Sequence, residues 1–133
     1  KVLQDLINQK KLQEGDYDFV HYNSPDERGI DTALLYRKAD FKVINSEAIT
    51  LYVENAPGVR DYTRDILYVT GKLKGVEVHI LVNHWPSRHQ GAETTEYKRI
   101  MAGQKNREIV DKIRQNDPNS RIIVMGGFQL VSF

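Results

Sequence analysis

The sequence predicts an α/β fold in which a long helix connects two neighbouring strands of one sheet. Three observations support this prediction. Residues 76–83 form an apolar run typical of a buried strand, and residues 94–116 follow with apolar side chains at helical spacing. A second apolar run begins at residue 121 and ends in two glycines. Because a strand–helix–strand crossover aligns its two strands in parallel, both runs are expected in the same sheet.

The segments before this crossover predict a short helix and four more strands. Apolar residues at helical spacing predict an amphipathic helix over residues 1–11. Runs rich in β-branched and aromatic residues predict strands at 17–21, 30–36, 41–52 and 66–72. Dense turn formers predict an exposed loop at 23–29, and a glycine-containing turn at 71–75 predicts an antiparallel hairpin with the strand that follows.

The composition is that of an ordinary globular domain. The chain has 133 residues and a formal net charge of +1, so nucleic-acid binding would have to come from a local basic patch. Because there is no cysteine, disulfides, thiolate zinc sites and cysteine nucleophiles are excluded. No apolar run approaches the roughly 20 residues of a membrane helix. The composition favours neither an exported nor a cytoplasmic protein, and it leaves the oligomeric state open.

Several separated segments are expected to meet at one edge of the predicted sheet. The parallel crossover strands end at His84 and Gly126, and the antiparallel hairpin places Arg64 beside His84. If the earlier strands continue the meander, Tyr52 and residues 26–31 reach the same edge. In open α/β sheets, ligands bind where the carboxyl ends of strands meet. This convergence predicts a functional site.

The residues at this edge are suited to binding an anion. The imidazole of His84 can accept or donate a proton near neutral pH, and Arg88 can bind a phosphate or carboxylate through two hydrogen bonds. Asp31 opens an apolar strand at the same edge and is interpreted as a residue that supports the site without touching substrate. The edge therefore predicts an enzyme site for an anionic group.

Four segments, at residues 24–37, 63–66, 83–88 and 122–129, resemble the endonuclease/exonuclease/phosphatase family of DNase I-like phosphoesterases in order and spacing. The Asn-His-Trp-Pro-Ser-Arg run at 83–88 is the most specific of them. The resemblance implies a four-layer α/β sandwich, with two sheets face to face and helices outside. It covers only the central portion of such a domain, without the flanking strands. Residues 1–133 are therefore expected to form a single partial domain.

The resemblance also implies a reaction and a set of roles. His84 would contact the scissile phosphate as an acid or hydrogen-bond donor, and Arg64 would neutralise phosphate charge. Asn83, Ser87 and Arg88 would form the phosphate-binding rim. The implied chemistry is in-line attack of water on a phosphodiester or phosphomonoester, with Mg²⁺, or alternatively Mn²⁺ or Ca²⁺, stabilising the developing charge.

The chain departs from the family pattern at its last motif. The family has Gly-Asp-Phe-Asn, whereas this chain has Gly-Gly-Phe-Gln at residues 126–129. The family aspartate orients or deprotonates the attacking water, and Gly127 has no side chain for either task. Gln129 keeps an amide but is one methylene longer. The family's metal-binding glutamate would lie upstream of residue 1 and its last acidic residues downstream of residue 133, so no metal ligand is assigned within this chain.

Each of these residues also has a structural interpretation. His84 could be a structural histidine at a strand end, Arg64 could form a surface ion pair with Asp61 or Asp65, and Trp85 could be a packing anchor or stack on a base. The charged cluster at 26–28 could be a solvated loop or contact a metal. The remaining histidines are interpreted as non-catalytic, at positions 21, 79 and 89.

Two functions are consistent with these residues. The first is a metal-dependent phosphoesterase, a nuclease or phosphatase, whose activity in this chain is impaired. The second is a non-catalytic relative that binds phosphorylated ligands and has lost the water-activating aspartate at Gly127. A third explanation of Gly127 is that residues 127–133 do not represent the natural sequence. The phosphorylated partner could be a nucleic acid, a nucleotide, a sugar phosphate or a lipid phosphate.

Overall fold

A computed structural model describes residues 1–26, 29–86 and 91–128 of the chain. The helices are α1 (Val2–Ile7), α2 (Lys10–Gln13) and α3 (Ala92–Asn116). The strands are β1 (Tyr17–His21), β2 (Ala33–Arg37), β3 (Phe41–Ile49), β4 (Val53–Ala56), β5 (Val59–Asp61), β6 (Ile66–Leu73), β7 (Val76–His84) and β8 (Ile122–Gly127). None of the helices in these residues combines the length and the apolar character of a membrane span.

The larger sheet has the strand order β3–β6–β7–β8. Strands β3, β6 and β7 are antiparallel, whereas β7 and β8 are parallel and are connected by α3. Lys74 and Gly75 form the turn between β6 and β7 with φ values of 48° and 82°. Two successive positive φ values match the twist of a two-residue hairpin. The predicted hairpin and the predicted parallel crossover are both confirmed.

The larger sheet lies between a second sheet and helix α3. Strands β1 and β2 form the second sheet, and Leu34 of β2 packs into a core formed by Phe41, Leu67, Val69, Val78, Ile80 and Val82. On the opposite face, Ile109 and Ile113 of α3 pack against β6 and β7. Because alternate residues of a strand face opposite sides, β6 and β7 contribute to both cores. This arrangement confirms the predicted α/β sandwich with two face-to-face sheets.

Three predictions of the elements are wrong in detail. The predicted helix at 1–11 is two short helices separated at Asn8 and Gln9, and α1 contacts β1 without burying any residue. With no buried face, packing does not hold the segment in one continuous helix. The predicted strand at 30–36 begins only at Ala33. The meander also does not run from β2 to β3, since β2 pairs with β1 and β3 pairs with β6.

The predicted strand at 41–52 is also wrong, because β3 ends at Ile49 and a separate hairpin follows. Among the described strands, β4 and β5 pair only with each other, with Glu54 opposite Arg60. Val53 is fully buried and packs beside Ala102 of α3, which attaches the hairpin to the helix. The Pro-Gly turn at 57–58 is the sequence signal that could have revealed it.

Candidate functional site

The ends of three strands of the larger sheet meet at one edge, as the sequence predicts. His84 at the end of β7 is paired with Gly127 at the end of β8, and the backbone N–H of Trp85 donates to the Gly127 carbonyl over 2.8 Å. Leu67 of β6 lies opposite Val82 of β7. Because the two strands are antiparallel, continuing this register by two residues places Asp65 opposite His84. The carboxyl ends of β7 and β8 and the amino end of β6 therefore share this edge.

His84 and Gly127 are in direct proximity. The His84 side chain is half-buried, and a Cβ atom at Gly127 would lie 3.3 Å from its Cδ2 and 3.9 Å from its Nε2. A side chain at position 127 would therefore contact the imidazole. The preceding residue, Gly126, has φ of 134°, and a Cβ there would lie 1.8 Å from the Asn83 carbonyl oxygen. Only glycine can occupy position 126 without displacing β7.

Arg64 is buried directly before β6. Its side chain is 4% exposed, and its Nε lies 3.4 Å from Oδ2 of Asp26, whose side chain is also 4% exposed. Arg64 therefore has a buried partner in Asp26, whereas the structural interpretation expected a surface pair with Asp61 or Asp65. The predicted contact of Arg64 with a phosphate stays a prediction.

Asp31 is held by the loop that follows β1. Its Oδ1 accepts a hydrogen bond from the Ser24 backbone N–H over 2.7 Å, and its Oδ2 lies 2.9 Å from His21 Nε2. The Ser24 hydrogen bond is the main cause that lowers the pKa of Asp31, with a smaller contribution from His21. The Thr32 hydroxyl donates to the Asp65 carbonyl oxygen, so this segment reaches the predicted edge, although it does so from the second sheet.

Asp65 is the acidic residue closest in register to His84. Burial is the main cause that raises the pKa of its carboxyl, Asp31 raises it further, and Arg60 opposes both. Its Oδ1 is buried and accepts no hydrogen bond from the part of the chain that the structure describes. Asp31 and Asp65 are therefore two neighbouring carboxyl groups with pKa values shifted in opposite directions.

Asn83 is a buried connection between β7 and α3. Its residue is 2% exposed, its Nδ2 donates to Asn106 Oδ1 over 3.0 Å, and Asn106 Nδ2 donates back to Asn83 Oδ1 over 2.7 Å. Trp85 Nε1 also donates to Asn83 Oδ1. These bonds fix the backbone on both sides of His84. The predicted phosphate contact of Asn83 stays a prediction.

Two of these residues were not found by sequence reasoning. Asn106 lies on the buried face of α3 between Ala102 and Ile109, and a polar residue at such a position could have indicated a buried partner. His21 contacts Asp31, whereas the sequence interpretation took His21 only as a non-catalytic histidine and gave it no partner.

Trp85 serves as a packing anchor, as one of the two interpretations predicts. Its ring meets Phe128 edge to face, with centroids 5.0 Å apart, and packs on the cluster formed by Leu51, Val53 and Ala102. The predicted site residues Ser87, Arg88 and Gln129 lie outside the described residues. Their roles stay predictions.

The described residues do not provide a binding site for Mg²⁺. They contain no group of three or more acidic or histidine side chains able to hold a metal ion. Both oxygens of Asp31 are engaged by Ser24 and His21, and Asp26 pairs with Arg64. Among the carboxylates of these residues, Asp65 has a buried oxygen that accepts no hydrogen bond from them, and the buried Thr63 hydroxyl likewise has no hydrogen-bond partner among them; one carboxylate and one hydroxyl fall short of the several oxygen ligands that Mg²⁺ prefers.

Comparison with known structures supports the same fold. The chain is 18% identical to D. rerio TDP2 in complex with a single-stranded DNA product, with a TM-score of 0.64 over 97% of this chain and 44% of that one. It is 22% identical to the human Nocturnin catalytic domain with bound sulfate, with a TM-score of 0.66 over 92% of this chain and 46% of that one. It is 10% identical to ANGEL2, a 2′,3′-cyclic phosphatase, with a TM-score of 0.68 over 97% of this chain and 37% of that one.

The chain therefore spans less than half the length of these structures. The expectation of a partial domain stays a prediction. No curated protein matches the chain by sequence. The sequence model of the Endonuclease/Exonuclease/phosphatase family matches residues 1–130, which is nearly the whole chain. With this match and the two-sheet sandwich described above, the chain belongs to the endonuclease/exonuclease/phosphatase family.

Proposed function

We propose that this chain carries the phosphate-binding part of a phosphoesterase site, at which water attacks a phosphodiester or phosphomonoester in line. The observation that supports the proposal is the convergence of His84, Gly127 and the start of β6, directly after Arg64 and Asp65, at one sheet edge. These residues come from three strands, so their proximity depends on the folded sheet. Family membership supports the same class of reaction.

In this proposal, His84 acts on the phosphate itself. Its imidazole is half-buried at the end of β7 and can donate a hydrogen bond or a proton to a phosphate oxygen. Arg64 lies beneath the edge, and its guanidinium is shared between Asp26 and the phosphate charge. Asn83 holds the backbone beside His84, while Ser87 and Arg88 complete the phosphate-binding rim.

Replacement of His84 tests the assignment. We expect His84→Ala to lower the turnover of a phosphodiester or phosphomonoester substrate by about 100-fold or more, the usual contribution of a positioned acid. His79→Ala is the matched control, because His79 lies in the same strand but contacts Tyr68 away from the edge. Full turnover by His84→Ala, or an equal loss in both variants, would contradict the role of His84.

The metal requirement is proposed from the family resemblance alone. Mg²⁺, or alternatively Mn²⁺ or Ca²⁺, would need ligands beyond the described residues, so no step of the reaction is assigned to it here. Dialysis of the purified protein against EDTA, followed by return of each ion separately, tests the requirement. Turnover that survives EDTA unchanged would contradict it.

Gly127 supports a second candidate, a non-catalytic module that binds phosphorylated ligands. A side chain at position 127 would contact His84, and glycine supplies no carboxylate from that position to activate water. This candidate predicts that the protein binds a phosphorylated ligand without hydrolysing it, with little dependence on Mg²⁺. It also predicts that Gly127→Asp raises hydrolysis above that of the wild type. Hydrolysis by the wild-type protein, abolished in His84→Ala, would contradict this candidate and support the first.

A further inference from the structure

The outward face of the β4–β5 hairpin carries two tyrosines on either side of an arginine. Register and alternation place Tyr52, Glu54, Arg60 and Tyr62 on one face of the hairpin. The guanidinium carbon of Arg60 lies 5.3 Å from the ring centroid of Tyr52 and 4.7 Å from that of Tyr62. We call Tyr52, Arg60 and Tyr62 the tyrosine–arginine ladder. Its rings are 52% and 44% exposed, so aromatic faces remain open to solvent.

The opposite face of the hairpin is fixed to helix α3. Lys98 of α3 is 6% exposed, and its Nζ donates to Asp61 Oδ2 over 2.6 Å and to Asn55 Oδ1 over 2.7 Å. The Tyr97 hydroxyl donates to the Glu54 carbonyl oxygen, and Val53 is fully buried. The ladder therefore stands on a rigid support, which lowers the ordering cost of binding a ligand.

The donors of Arg60 are not used by the described protein. Within the described residues Arg60 forms no ion pair, and its buried Nε has no hydrogen-bond partner. Glu54, directly opposite, instead accepts hydrogen bonds from the Tyr52 hydroxyl and the Gly58 backbone N–H. The two terminal amino groups of Arg60 are not among the buried atoms, so they can contact an added phosphate while the guanidinium stacks with the two rings.

The ladder is close to the phosphate-binding edge. Tyr62 precedes Asp65 by three residues, which span at most about 10 Å. A stacked single strand advances about 3.4 Å per phosphate, so the two places are at most about three nucleotides apart. Arg60 also acts electrostatically on Asp65, where it opposes the effect of burial on the pKa of that carboxyl.

We propose that the tyrosine–arginine ladder is a second binding site, at which a base of a single-stranded nucleic-acid substrate stacks while Arg60 contacts a neighbouring phosphate. This inference rests on the proposed phosphoesterase function and assigns its substrate class. Aromatic faces beside a guanidinium are the combination that binds unpaired bases in single strands. The aliphatic side chain of Val53 faces the opposite side of the hairpin, so the ladder face does not resemble a site for a lipid chain.

Binding of two fluorescently labelled oligonucleotides of equal length tests the proposal, one of thymidine and one abasic throughout. Both carry the same phosphates, but only the first has bases. We expect the wild-type protein to bind the thymidine strand more tightly. Tyr62→Leu should weaken that binding by about 5-fold to 150-fold, the usual effect of losing one stacked base, and leave the abasic strand unaffected. Tyr62→Phe keeps the ring and should bind like the wild type.

Three results would overturn the proposal. The wild-type protein could bind both strands equally, Tyr62→Leu could bind the thymidine strand like the wild type, or Tyr62→Phe could lose as much affinity as Tyr62→Leu. Hydrolysis is measured separately in the same samples. Base-dependent binding without hydrolysis would support the ladder and contradict the proposed phosphoesterase function. Hydrolysis that requires His84, together with equal binding of both strands, would contradict the ladder alone.

Discussion

Replacement of Asn106 by alanine tests the buried connection that holds His84 in place. Asn106 accepts one hydrogen bond from Asn83, donates one back to it, and donates another to the Ala102 carbonyl oxygen. In Asn106→Ala, Asn83 Oδ1 keeps its bond from Trp85, but Nδ2 keeps only a 3.5 Å contact with the Leu81 carbonyl oxygen. The main cost is therefore one buried donor without a good partner.

The size of the effect follows from three contributions. A buried unsatisfied donor costs about 1–3 kcal/mol, and the space left by the shorter side chain adds about 1 kcal/mol. Alanine returns about 0.5 kcal/mol through its higher helix propensity. We expect Asn106→Ala to lower the free energy of unfolding by about 1.5–3.5 kcal/mol, and the midpoint of thermal unfolding by roughly 10 °C.

Urea titration followed by circular dichroism measures this change. Gln104→Ala is the matched control, because Gln104 carries the same amide two residues away but is exposed. The control should change the free energy of unfolding by less than about 0.5 kcal/mol. A double-mutant cycle with Asn83→Ala should give a coupling energy of about 1–3 kcal/mol. A coupling energy near zero, or equal effects of Asn106→Ala and Gln104→Ala, would refute a stabilising connection between β7 and α3 through Asn83 and Asn106.

Three further predictions concern acidity, the hairpin and backbone strain. Because burial raises the pKa of Asp65 above the ordinary 3.8, its ionisation costs stability as pH rises, so Asp65→Asn should be more stable than the wild type at pH 7. The Ser24 hydrogen bond lowers the pKa of Asp31, so Asp31→Asn should be less stable than the wild type at pH 7, and this difference should be lost as the pH falls below 3.8. Urea titrations of both variants and the wild type, at pH 7 and below pH 3.8, measure the two differences in stability. Lys98→Met leaves the Asp61 carboxylate, which is 20% exposed, without its ion-pair partner, so the free energy of unfolding should fall by about 1–3 kcal/mol. The β4–β5 hairpin should then be cleaved by protease faster than in the wild type. Gly126→Ala should destabilise the fold because its Cβ would lie 1.8 Å from a carbonyl oxygen of β7, whereas Gly103→Ala, whose Cβ would be 3.6 Å from the Trp85 ring, should raise the thermal midpoint.

Local pattern was sufficient to predict strands β6, β7 and β8 of the larger sheet and the edge where they meet, whereas the bounds predicted for β3 were wrong. Strands β6 and β7 are apolar, β-rich and joined by a two-residue turn, so their pairing follows from neighbouring residues. The crossover rule then fixes β8 beside β7 and brings Gly127 to His84. These features depend on sequence periodicity and on chain connectivity, which one sequence contains.

Pairings between distant segments could not be predicted in this way. Strand β2 could pair with either β1 or β3 on local pattern, and only the packing of Leu34 on the larger sheet distinguishes them. Likewise, Arg64 has nearer acidic residues in sequence than Asp26, and the buried pair forms because Asp26 and Thr32 both lie against the start of β6. Asn83 and Asn106 are 23 residues apart and meet only once α3 has packed.

The parallel pairing of β7 with β8 has a consequence for the order of folding. Strands β6 and β7 close a loop of two residues, whereas pairing of β8 with β7 must close a connection that contains the 25-residue helix α3, which costs more chain entropy. Strand β8 is also largely exposed, so less burial opposes its release. We therefore expect the backbone amides of β8 to exchange with solvent earlier than those of β6 and β7. On this reasoning, we expect the pairing that joins His84 to Gly127 to open earlier than the pairing of β6 with β7.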